Sequence, residues 1–96
     1  MSAYVISDVV PQDVEAWNAY VRLAPATIEK YGGRYLARGG SVQNMEGNWS
    51  PRLIVLVEFP DREAVEAWYA SPEYAEALNF RGKALSRNLI RVDGVD

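Results

Sequence analysis

The sequence predicts an α+β domain built in the order strand, helix, strand, strand, helix, strand. Three observations carry that reading. Two β-branched runs, Tyr4–Val10 and Leu53–Phe59, each end at a proline, a residue that cannot donate to a strand ladder. Between them, and again after the second, apolar residues recur at spacings of three and four, the helical period. Gly32-Gly33 then closes the first helical run ahead of another strand-like stretch, because glycine supplies a left-handed helix stop.

Taken in order, Tyr4–Val10 is the first strand. From about Asp13, the residues Val14, Trp17, Val21, Ala24, Ile28 and Tyr31 fall on one helical stripe, the face expected to pack on a sheet. Pro25 interrupts it. A proline removes a backbone donor and crowds the preceding turn, so a kink or two consecutive helical pieces are expected. The second strand is expected from Arg34 to about Glu46, weakened or bulged at Gly39-Gly40, with Gly47–Pro51 as turn chemistry. Leu53–Phe59 is the strongest strand, apolar on both faces as far as Glu58. In an antiparallel sheet, that calls for helices on one side and a second cover on the other. A partner subunit is the natural second cover.

Asp61 reads as the N-cap of a helix through Ala64, Val65 and Trp68. Ser71-Pro72-Glu73 reads as a fresh helix start, carrying Tyr74, Leu78 and Arg81. Asn88–Val92 closes the chain as the last strand. Two right-handed crossovers and one hairpin in this order give a four-stranded antiparallel sheet with helices on one face, the ferredoxin-like βαββαβ unit. Residues 1–96 form a single such domain, with no linker or low-complexity segment.

Composition excludes more than it selects. The chain has no cysteine and no histidine, so thiolate nucleophiles, cysteine zinc sites, Ser-His-Asp triads and histidine-ligated haem are ruled out. Acids are not spaced as in an EF-hand, so no metal and no cofactor are expected. A formal charge of −3 and the lack of a basic stripe argue against nucleic acid and against an anionic membrane surface. Met1-Ser2-Ala3-Tyr4 enters a strand without a signal-like start, so the cytoplasm is the expected location. Gly32-Gly33-Arg34 follows a helix instead of opening one, and is therefore not a phosphate loop.

Three motifs in order, Gly32–Gly40, Ile54–Pro60 and Ala67–Tyr74, closely resemble the bacterial domain-of-unknown-function family 1330. The resemblance runs from about Tyr4 to Val95. It implies a ferredoxin-like fold of the dimeric α/β-barrel superfamily, in which two sheets face each other. It implies no settled activity.

Glu58 is the sharpest candidate for chemistry. If the flanking strands pair about Asn48–Ser50, it lies opposite Gly39 or Gly40, where missing side chains would leave room beside the carboxylate. A slip of one residue would reverse its face. Glu58 then reads either as a general acid or base with a proton affinity raised by burial, or as a structural ion pair with Arg38 or Arg34. Arg34 and Arg38 share a face unless a bulge intervenes. They are candidates to clamp a carboxylate or an enolate-like oxygen, against plain salt bridging. Arg81 is a third cationic candidate. Trp68 reads first as core and second as pocket lining, whereas Tyr69 and Tyr74 could offer hydroxyls to a ligand or to nearby backbone. Trp17 and Tyr20 read as core or interface.

Three functions remain open. The first is a cofactor-independent enzyme, with Glu58 moving a proton while Arg38 and a tyrosine steady an oxyanion. The second is a non-catalytic homodimer that binds a small acidic or aromatic metabolite. The third is a structural dimer whose interior is plugged by its own side chains.

Overall fold

Alternation in the first strand sets the layers. In β1 (Ala3–Pro11), Ala3, Val5, Ser7 and Val9 are buried, while Tyr4, Ile6, Asp8 and Val10 point to the opposite face. A computed structural model, which describes residues 1–95 without the side chains of 80–84, shows the remaining elements. They are α1 (Val14–Lys30), β2 (Arg34–Arg38), β3 (Leu53–Phe59), α2 (Arg62–Tyr69), α3 (Pro72–Ala84) and β4 (Leu85–Asp93). The sheet is antiparallel in the order β2-β3-β1-β4, the ferredoxin-like arrangement expected from the chain order.

Register assigns every strand residue to a face. Val5 pairs with Val57 on one side and Arg91 on the other, and Ser7 pairs with Val55 and Leu89. The helix-facing layer therefore takes Leu53, Val55, Val57 and Phe59 from β3, and Leu85, Arg87 and Leu89 from β4. Ile6, Leu56 and Ile90 fall in one row on the open layer. Ile90 and Val92 there are 57% and 45% exposed.

The helix α1 differs from expectation in two ways. It is one uninterrupted helix with Pro25 inside it. Proline costs the turn one hydrogen bond, and Thr27 Oγ1 donates to the Ala24 carbonyl beside it at 2.7 Å. The buried face is Ala16, Tyr20, Ala24, Thr27 and Ile28, so the expected stripe is rotated. Val14 is 72% exposed, and the small Ala16 takes the inward place instead. The helix ends as predicted: Gly32 has φ +86°, its N–H donates to the Glu29 carbonyl, and the Gly33 N–H donates to Ile28. These are the two bonds of a Schellman stop.

The second strand also departs from expectation. It ends at Arg38, and residues 39–52 are loop. Its irregularity lies between Tyr35 and Ala37, not at Gly39-Gly40. Gly39 has φ +74° and its N–H reaches the Ile54 carbonyl at 3.1 Å, so it turns the chain off the sheet. The second helical unit follows the sequence closely. Asp61 accepts from the Ala64 N–H at 2.8 Å, and Ser71 Oγ accepts from the Tyr74 N–H at 3.0 Å. β4 begins three residues earlier than predicted, at Leu85. That extension brings Arg87 into the layer beneath the helices.

Candidate functional site

A cavity of about 410 Å³ lies between the helix-facing side of the sheet and α1. Its floor is apolar apart from the Ser7 hydroxyl: Val9, Leu53, Val55, Val57 and Leu89 come from β1, β3 and β4. Trp17, Tyr20 and Ala24 of α1 form its roof, and Trp68 of α2 its back. The size and lining are those of small-molecule sites, mostly hydrophobic with a few converging polar groups.

One cluster of polar groups closes the β4 end. Arg87 Nη1 donates to Tyr20 Oη at 2.9 Å, and Arg87 Nη2 donates to Tyr74 Oη at 2.6 Å. The two phenol oxygens are 2.7 Å apart. Three elements build this cluster: α1 places Tyr20 one turn from Ala16 and Ala24, Ser71 caps the turn that presents Tyr74, and β4 alternation aims Arg87 inward. Tyr74 is fully buried, its ring 4.3 Å from that of Trp68. Burial pushes its hydroxyl well above the usual phenol range, and Tyr20 adds to this while Arg87 opposes it. Burial also works against the Arg87 charge, but the two phenol oxygens outweigh it and hold the guanidinium protonated.

At the β2 edge of the cavity, Arg38 sits over the Tyr35 ring, 4.3 Å from its centroid, in cation–π contact. Burial raises the Tyr35 hydroxyl above its ordinary range, against the pull of Arg38. Among the described residues, no carboxylate lines the cavity, and no ion pair is made by Arg38 or Arg87.

The candidates named from sequence divide between the two faces of the sheet. Glu58 pairs with Arg34, not with Gly39 or Gly40, because β2 runs in register from Arg34 rather than from a turn at Asn48–Ser50. Its carboxylate accepts from Arg34 Nε at 2.8 Å and from the Tyr4 hydroxyl at 3.1 Å, all on the open face. Arg38 and Gly39 line the cavity. The irregularity at Leu36 therefore separates Arg34 from Arg38, which were expected on one face. Gly40 has open space around it. Trp68 is core and cavity wall at once, its Nε1 donating to Thr27 at 3.0 Å. Tyr69 is half exposed and meets the Trp68 ring edge-on. Arg81 falls outside the described side chains.

Arg87 is not among the residues the sequence singles out, and Tyr20 reads there as core or interface. A signal for Arg87 is present: it stands between Leu85 and Leu89 in a strand of alternating pattern, a cation flanked by apolar members of the same row. The sequence pattern starts the strand three residues later, at Asn88, which leaves Arg87 outside it.

The family model described as a domain of unknown function, DUF1330, matches residues 2–95. The comparison with curated proteins gives no match. Among solved structures, a protein of unknown function from Rhodopseudomonas palustris is similar over 99% of this chain and 83% of its own, with TM-score 0.79 and 21% identity. SnoaB, a cofactor-independent oxygenase from Streptomyces nogalater, is similar over 99% and 94%, with TM-score 0.69 and 6% identity. A dimeric ferredoxin-like protein of unknown function from Jannaschia sp. CCS1 is similar over 98% and 100%, with TM-score 0.64 and 14% identity. At these identities the likeness is one of fold.

Proposed function

The chain belongs to the DUF1330 family, and we propose that it is a homodimeric small-molecule-binding protein whose ligand occupies the cavity between sheet and helices. One observation carries this: a mostly apolar space of about 410 Å³ ends at the Tyr20 phenol and the Arg87 guanidinium, both held by the buried Tyr74 behind them. A domain plugged by its own side chains would leave no such space, since interiors pack with few voids larger than water. Among the described residues, no helix is long and apolar enough to cross a membrane.

The second copy covers the open face of the sheet. Ile6, Leu56, Ile90 and Val92 share that face, and an apolar patch on a sheet calls for cover. The Jannaschia protein, of similar fold, is dimeric. Ile90→Lys is expected to turn a dimer into a folded monomer by light scattering; a wild-type monomer at micromolar concentration would remove this part of the reading.

Native mass spectrometry of freshly isolated protein tests the cavity. The expected result is a bound small molecule that is lost in Ala24→Phe, which fills the roof. Retention of the same adduct by that variant would place the ligand elsewhere and sink the reading.

A second reading, catalysis without a cofactor, has one specific support. Arg87 and Tyr20 are placed to hydrogen-bond an oxygen that gains charge during a reaction, and SnoaB shows that the fold accommodates such chemistry. Glu58 lies across the sheet from Arg38 and the cavity, so this reading rests on Arg87 and Tyr20. Turnover of the co-purified molecule by wild-type protein, abolished in Tyr20→Phe, would distinguish catalysis from storage or sensing.

A further inference from the structure

The hydrogen-bond inventory of the Tyr20–Tyr74–Arg87 cluster restricts what the cavity can hold. Tyr20 lines the cavity and Tyr74 does not. Tyr74 is fully buried, so its one proton is best used on Tyr20, 2.7 Å away. Tyr20 then accepts from both Tyr74 and Arg87, which fills its lone pairs. Its own O–H is left to point into the cavity. Arg87 has five N–H donors, of which two are used on the phenols. The polar end of the cavity therefore presents donors and a positive charge, and among the described residues the lining holds the neutral Ser7 hydroxyl but no carboxylate.

Charge leads to the same conclusion. A guanidinium set in an apolar wall is costly unless a counter-charge accompanies it. Among the described residues, no Asp or Glu supplies one, either at Arg87 or anywhere in the cavity lining. Phenol oxygens solvate the cation but do not neutralise it. The second arginine of the cavity, Arg38, lies three strands away across the sheet, about 14 Å at ordinary strand spacing. The apolar floor of Val55 and Val57 lies between them.

Building on the cavity reading above, we infer that the ligand is an organic carboxylate. Its anionic head sits against Arg87 and the Tyr20 hydroxyl, and its apolar body lies along the sheet toward Arg38. The fork of Arg87 suits two carboxylate oxygens. The aromatic walls, Trp17, Tyr20 and Trp68, suit a flat or ring-bearing body. Neutral or cationic ligands of the same shape would leave the Arg87 charge unmatched.

Calorimetric titration with three probes of one shape tests this: biphenyl carboxylate, its primary amide, and biphenyl methylamine. The expected result is carboxylate binding tighter than the amide by about tenfold or more, the usual worth of a charge-assisted pair, with the amine weakest. Arg87→Gln should reduce the carboxylate to the level of the amide, and Arg87→Lys should restore part of the difference. The wild-type ranking stands whether or not the Arg87 variants fold. If amide and carboxylate bind equally well and compete for the cavity, the carboxylate inference is overturned and the cavity reading survives. If none of the three binds at millimolar concentration, the cavity reading falls and takes this inference with it.

Discussion

Arg34 and Arg38 stand on one five-residue strand yet face opposite sides of the sheet, because the strand slips by one residue between Tyr35 and Ala37. A β-bulge reverses the pleat for every residue beyond it. Arg34 is thereby committed to Glu58 on the open face, and Arg38 to the cavity. The bulge divides the charges of this segment between a surface pairing and an interior site.

Glu58→Gln is expected to leave ligand affinity in the cavity within about twofold of wild type, as separated sites behave additively. Its stability cost should be under about 1 kcal/mol, because the Arg34 partner is 72% exposed even though Glu58 is 21% exposed. Titration calorimetry and urea denaturation check both. A loss of affinity with retained stability would make Glu58 part of the ligand machinery.

Tyr74→Phe removes one phenol oxygen from Arg87 and one donor from Tyr20. The aromatic packing on Trp68 is kept. The expected loss is about 1–3 kcal/mol, the range for hydrogen bonds that involve a charged group, read from the shift in denaturation midpoint. An unchanged midpoint would mean that water replaces the hydroxyl without cost, and that the cluster is less dry than its burial indicates.

Gly33→Ala is expected to destabilise by about 1–3 kcal/mol, a typical cost of overpacking. A Cβ there would meet Ile28 Cγ2 at 2.7 Å and Phe59 Cε1 at 2.8 Å, and Phe59 is fully buried. The requirement for glycine at this position is close approach, whereas at Gly32 it is the positive φ. Chemical denaturation of the single variant is sufficient; wild-type stability would show that α1 can lift from β3 at no cost.

Acid sensitivity is expected to involve Glu73. Hydrogen bonds from Lys30 and then Tyr31 hold its carboxyl at about 2, below the ordinary 4.5. A depressed folded value means that the group stabilises the fold above its unfolded value, and that this contribution is lost as pH falls from about 4.5 toward about 2. Glu73→Gln should flatten that part of the stability–pH curve. High salt should shrink the difference, since the pair is solvent-accessible and screened. Identical acid limbs in wild type and variant would refute the linkage.

Local chemistry made much of the architecture readable from residues alone. The Gly32 stop, the Asp61 cap and the Ser71-Pro72 restart are short-range devices, in which a side chain or a glycine answers backbone groups within three or four residues. The doubly apolar run Leu53–Phe59 likewise announced a sheet needing cover on both faces. Such signals require no knowledge of what lies across the fold.

The site was different. Tyr20, Tyr74 and Arg87 are separated by 54, 13 and 67 positions in their pairwise contacts, and no periodicity connects them. Which face Arg38 or Glu58 takes depended on one slipped residue in β2, whose cost or gain is set by the neighbouring strand. Tertiary packing alone decided those matters, because facing and proximity are properties of register. Hydrophobic pattern established that this chain folds as strand, helix, strand, strand, helix, strand; the pairing of β2 with β3 and of β4 with β1 determined that its unmatched arginines enclose an apolar cavity.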